Sequence, residues 1–113
     1  MKATVTELLQ RIPGKASEEW PMGEPFAVAL ANGSMSVELY VPKGEDIQTP
    51  HDQDELYFIH SGKGEIVIAG NRYSFVPGTV FFVPAHVEHR FENFSADFMT
   101  WVVFWGPKGG EKA

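Results

Sequence analysis

Three histidines and one glutamate are the side chains of this sequence best placed to do chemistry. His51, His86 and His89 stand in or beside the stretch from Thr49 to Asn93, and Glu55 stands within it. Imidazole nitrogens and a carboxylate together form a donor set for a divalent ion with open coordination positions. The stretch divides into two apolar, β-rich halves punctuated by Gly and Pro. Halves of that kind imply two strand pairs that carry His and carboxylate groups from distant parts of the chain toward one point. That is the pattern of a small β-barrel with a polar or metal site in its mouth.

Spacing sets the conditions. His51 and Glu55 are four residues apart, so in a straight strand their Cα atoms would lie roughly 13 Å apart. They can share an ion only if Asp52-Gln53-Asp54 curls back, and those turn-forming residues permit it. His89 must arrive from another strand, aimed by Pro84-Ala85. Each residue also has a bland reading. His51 can cap a polar turn, His89 can be a satisfied core histidine, and Glu55 can be a solvated acid at a strand start. Asp54 is the competing carboxylate, and His86 is either a rim residue touching substrate or plain surface. His60 is out of phase with Glu55, Tyr57 and Ile59, so it points outward if they point in. Tyr57, Phe75, Phe82, Phe91 and Trp101 can line a pocket, although aromatics in a barrel of this size are more often core.

The elements that must position these groups follow from pattern. Thr4-Val5-Thr6-Glu7 has capping-box spacing, and Val5, Leu8, Leu9 and Ile12 recur at helical period, which predicts one short helix over Thr4–Arg11. Pro13-Gly14 ends it. Residues 15–25 form a connecting arm anchored by Trp20, so residues 1–25 are helix and arm. Asn32-Gly33 marks a hairpin between β runs at Phe26–Ala31 and Met35–Val41. With Ile47–Pro50 leading to His51, further runs at Glu55–His60, Glu65–Ala69, Arg72–Val76, Val80–Val83, His89–Phe94 and Asp97–Trp105 give about nine short strands over residues 26–105, a sandwich or barrel. The Gly/Lys-rich 106–113 reads as a frayed tail. Asp97–Trp105 is nearly all apolar, so both faces are expected to be covered. One cover is the core; the other is either the N-terminal helix or a second copy, and a homodimer is the expectation.

Composition narrows the function. The chain has 113 residues, 43% of them hydrophobic, with no cysteine and a net charge of −6. It is long enough for one core, and thiol catalysis, thiolate metal sites and disulfides are excluded. Nine basic residues, thinly spread, argue against nucleic acid and against anionic membranes. There is no apolar run of membrane-spanning length and no secretory pattern at the N-terminus, so a cytoplasmic location is expected. The glycines form no phosphate cradle, and no serine sits in a nucleophile elbow.

At Pro77-Gly78, Pro84, His89 and Asn93 the sequence resembles the second motif of the cupins, the small conserved-barrel family, at every spacing; only the motif's inner Gly differs, being His86. Glu55 and Gly62 match the end of the first motif. His51 fits that motif's second histidine, Thr49 stands where its first would be, and Gly44 lies one residue too close. The resemblance covers about Phe26 to Phe104. It implies an all-β cupin-type barrel, a double-stranded β-helix or jelly roll, carrying one short N-terminal helix. It further implies a divalent metal (Fe, Mn, Ni or Zn) at the barrel mouth held by His51, Glu55 and His89. Gln48 or Gln53 can add an amide oxygen, and His86 a direct or indirect contact, with Tyr57 nearby in the pocket. Three functions are open: a metal-dependent enzyme of dioxygenase or isomerase type acting on a small molecule, with Asp54 or Glu88 as a base; a non-catalytic small-ligand-binding or sensor module; and an assembly protein whose site is vestigial.

Overall fold

Alternating burial builds the fold. In the computed structural model, which describes residues 1–113, eight strands form two antiparallel sheets. They are β1 (Phe26–Asn32), β2 (Met35–Tyr40), β3 (Asp54–Ser61), β4 (Gly64–Ile68), β5 (Asn71–Phe75), β6 (Val80–Val83), β7 (His89–Glu92) and β8 (Met99–Trp105). One sheet has the order β1-β2-β8-β3-β6 and the other β5-β4-β7. This is the all-β jelly-roll barrel expected, with eight strands rather than nine. Residues 47–51 approach the site without pairing, because they must bend.

The core lies between the sheets. Tyr57, Ile59, Ile66, Phe75, Phe91, Phe98 and Val102 form its buried centre. Phe91 packs edge-on against both Tyr57 and Phe75, with ring centroids 4.9 and 5.7 Å apart. Aromatics arranged in this way contribute beyond their buried area. Of the aromatics weighed as pocket walls, Tyr57, Phe75 and Phe91 are buried core, whereas Phe82 lies on the exposed outer face. Gly62 permits a close crossing: a Cβ there would sit 2.6 Å from the Phe98 Cα.

The helix α1 (Val5–Leu9) is shorter than its apolar pattern predicts. Thr4 caps it, its hydroxyl accepting from the Glu7 N–H at 3.2 Å. Leu8 is buried against Ala27, Leu39 and Val41, with Met99 and Trp101 packed alongside. The helix therefore covers the first part of the outer face of β8. No helix is long and apolar enough to cross a membrane. The arm after α1 folds on itself, with Gly14 N–H donating to Glu24 O and Ser17 N–H to Trp20 O. Trp20 anchors it edge-on to Phe26 at 5.9 Å.

The segment 106–113, expected to fray, is hydrogen-bonded as far as Glu111. Gly109 N–H donates to Asp52 O, and Glu111 N–H donates to Asp54 Oδ2 at 2.8 Å. The cause is Asp54, a buried carboxylate that also accepts from Ala85 N–H at 3.0 Å. A buried carboxylate requires such donors, and the glycines of the segment let the backbone supply one.

A candidate metal centre in the barrel mouth

Glu55 is the second residue of β3, on its inward face two residues before the buried Tyr57, and is itself buried. Residues 51–53 lie outside the strand and bend, as the spacing required. The bend places His51 Nδ1 3.2 Å from Glu55 Oε1. The backbone N–H of His86 donates to the carbonyl of His51 at 2.7 Å, tying the two halves of the site together. His89 opens β7 on the facing sheet, fully buried, and its Nε2 lies 2.8 Å from the same Glu55 oxygen. Donor atoms of His51, Glu55 and His89 all lie within 4.8 Å of one another.

Three observations fit this cluster to a cation. Glu55 Oε2 is buried with no hydrogen-bond partner, which is costly for a carboxylate. His89 Nδ1 donates to Val87 O at 2.8 Å, which fixes the ring and makes Nε2, beside Glu55, the nitrogen an ion would take in exchange for a proton. Finally, the set is two imidazoles and a carboxylate, three donors of the kind that leave open positions on a six-coordinate ion.

A chain of hydrogen bonds supports the cluster. Tyr57 O–H donates to Gln48 Oε1 at 3.1 Å, and Gln48 Nε2 donates to Asp46 Oδ2 at 2.6 Å. The Tyr57 oxygen then accepts from His89 Nε2–H at 3.0 Å. Burial, reinforced by the charges of Glu55 and Asp46, pushes the Tyr57 phenol well up, so it stays an O–H donor. Burial alone would lower the pKa of His89, yet hydrogen bonds and the Glu55 charge outweigh it and the net direction is upward. Burial alone would raise Glu55, yet the two histidines outweigh it and hold it below its ordinary 4.5.

Not every candidate joins the cluster. Gln48 is one hydrogen bond removed, through Tyr57. Gln53 donates its amide to the Ser34 and Gly106 carbonyls at 3.1 and 2.9 Å. His86 and Glu88 are exposed. Asp54 is neither a competing ligand nor a free base, because backbone N–H groups occupy both its oxygens. His60 is exposed on the outer face, its ring near Trp101, as its phase predicted. Sequence reasoning missed Asp46 and Glu38. Glu38 shares its face of β2 with the buried Tyr40, and that phase is the signal that finds it. Asp46 sits in a run that reads as an ordinary turn, and nothing in the sequence separates it from Glu45.

The family model for the cupin domain matches residues 36–105. This chain belongs to the cupin family. An uncharacterized protein of Streptomyces coelicolor is 40% identical over 81 residues, 70% of this chain and 77% of that protein. The HTH-type transcriptional activator RhaS of Shigella sonnei is 32% identical over 76 residues, 67% of this chain but 27% of the activator, so the chain spans about a quarter of that relative. Among solved structures, a protein of Ralstonia eutropha JMP134 provisionally named a mannose-6-phosphate isomerase is 25% identical with a TM-score of 0.61, covering 73% of this chain and 83% of that one. Within this family the motif departures have physical readings. His86 takes the place of a glycine and adopts its conformation, with φ 65. Thr49, where the cupin pattern has a further histidine, is exposed, and the convergent donors are three rather than four.

Proposed function

We propose that this cupin is a divalent-metal enzyme that binds a small oxygen-bearing substrate at the barrel mouth, with chemistry of isomerase or dioxygenase type. The observation that carries the reading is the buried, unpartnered Glu55 Oε2 inside a His-Glu-His cluster. His51, Glu55 and His89 would hold the ion, which when bound would polarise a substrate oxygen or activate dioxygen. The chain's own groups do the rest. Val87 O keeps the His89 ring in place through its Nδ1–H. His51, one-third exposed, stands at the boundary between the cluster and an adjoining cavity. The buried wall of Tyr57, Val102 and Phe104 limits water on the cavity's inner side.

Elemental analysis of untagged, chelator-free protein tests this, beside a His51→Ala, His89→Ala double variant. The expected result is close to one ion per wild-type chain and none in a folded variant. Metal absent from both after reconstitution removes the enzyme reading. The likeness to a quarter of a transcriptional activator favours the second reading, a non-catalytic ligand-sensing module. That reading is supported if ligands bind a metal-free protein and leave unchanged.

We also propose a homodimer through the outer face of the larger sheet. Phe58 stands opposite Val80 in the register of β3 and β6, and Phe82 lies 6.1 Å from Trp105, ring to ring. Phe58, Val80 and Phe82 are all exposed beyond the reach of α1. Apolar patches of this kind mark association surfaces. Light scattering at micromolar concentration is expected to give twice the 12.6 kDa chain mass, and Phe82→Glu to give the monomer. A wild-type monomer would defeat the proposal.

A further inference from the structure

A cavity of about 320 Å³ opens beside His51, at the lower end of the range for small-molecule sites. The folded arm supplies one wall, with Glu19, Trp20 and Glu24; β2 supplies another, with Glu38. Its lining contains three glutamates and no lysine or arginine. The same lining carries the aromatic side chains of Trp20, Phe26, Tyr40, Tyr57 and Phe104. Carboxylates set among aromatic rings are the surroundings that favour an organic cation, by ion pairing and by attraction to the ring faces.

We infer that this cavity selects a small organic cation, an amine or quaternary ammonium, seating its positive group between Glu38, Glu24 and Trp20 and its other end toward His51. The inference deepens the proposed metal site and rests on it only for that second end. Three features support it. Glu38 is partly buried, lines the cavity and takes part in no side-chain hydrogen bond, so its carboxylate is free to pair with a ligand's positive group. Burial, reinforced by the charges of Glu55 and Glu24 and opposed by His51, pushes Glu38 up to about 7, and a neighbouring cation would keep it ionised. The aromatic walls distinguish an organic cation from a hydrated inorganic one, which would keep its water shell.

The test is calorimetric titration of metal-free protein with three probes of one shape: choline, its neutral isostere 3,3-dimethylbutan-1-ol, and the anion 3,3-dimethylbutanoate. Choline is expected to bind about tenfold or more tighter than the alcohol, with no binding of the anion. Glu38→Gln is expected to remove that tenfold preference and leave the alcohol's affinity unchanged; Glu24→Gln, on the separate arm, is expected to weaken choline in the same direction. Equal affinity for choline and the alcohol, preference for the anion, or no binding of any probe overturns the inference. Metal content measured on the same wild-type preparation keeps the two readings apart. Cation selectivity without a metal sinks the enzyme proposal alone, and a metal without cation selectivity sinks this inference alone.

Discussion

Glu55→Gln is expected to weaken divalent-metal binding by more than ~100-fold while the barrel stays folded, since even loss of groups that merely orient ligands typically costs 10–100-fold. Gln keeps the shape of Glu but removes the charge, and with its carbonyl oxygen toward the two imidazoles its amide nitrogen takes the place of the oxygen offered to the ion. Both imidazoles approach Glu55 Oε1, at 3.2 and 2.8 Å. The second oxygen has no partner at all. The two oxygens thus serve different ends, one holding the rings and one offered to an ion. Competition against a fluorescent chelator measures the change. An unchanged affinity in the variant would mean the ion sits elsewhere.

The pH dependence follows from the same pair. In the metal-free protein His89 Nδ1–H faces a carbonyl and Nε2 faces a carboxylate, so the ring is held as the imidazolium and its pKa lies above the ordinary 6.5. A group raised on folding stabilises fully below its unfolded pKa and stops doing so as pH rises through its folded value. Glu55, held below 4.5, contributes above that value and loses the contribution as pH falls through its folded pKa. The pair therefore supports the metal-free fold most between about 4.5 and 6.5, the ordinary values of its two members. An ion at Nε2 must displace a proton, so metal affinity rises with pH through the folded pKa of His89, one proton leaving. In Glu55→Gln the largest opposition to the burial of His89 is gone, with the Val87 carbonyl and the Asp46 charge remaining, and its imidazole resonances are expected to titrate lower than in wild type.

How much of this was legible in the sequence depends on whether a feature is local. The period-two phase of β3 put Glu55, Tyr57 and Ile59 inside and His60 outside, because a strand has only two faces. The second motif placed His89 because Pro84 and the positive-φ residue at position 86 fix the approach to β7, even with His86 in place of Gly. Residues whose role is set across the fold were not legible. Asp54 reads as a free acid, yet a tail 57 residues later donates to it. Gln53 reads as a possible ligand, yet carbonyls at Ser34 and Gly106 hold its amide. The apolar run at 97–105 predicts cover on both faces of β8, but not that α1 covers only the part nearest Met99 and Trp101.

Asp46 is the extreme case, and its removal is expected to be the most damaging substitution in the chain. It is buried and accepts four hydrogen bonds. Oδ1 takes Tyr40 O–H at 2.5 Å and Gln48 N–H at 3.1 Å. Oδ2 takes Gln48 Nε2–H at 2.6 Å and Phe91 N–H at 2.9 Å. One carboxylate thus fastens the loop that delivers His51 to β2 and to β7 at once. Asp46→Ala leaves all four donors unpaired in the interior, at a cost of about 3–5 kcal/mol, a large share of a small domain's stability. The melting temperature is expected to fall by more than ~10 °C. Asn is expected to rescue little, since both oxygens accept from N–H groups and an amide nitrogen at either place meets another donor. Without Asp46 the Gln48 amide that holds the Tyr57 hydroxyl is no longer anchored, so variant protein that remains folded at low temperature is expected to bind metal more weakly as well. Thermal unfolding of both variants, followed by metal titration of the folded fraction, checks the two effects separately. A stable Asn variant would show that shape rather than charge holds this junction.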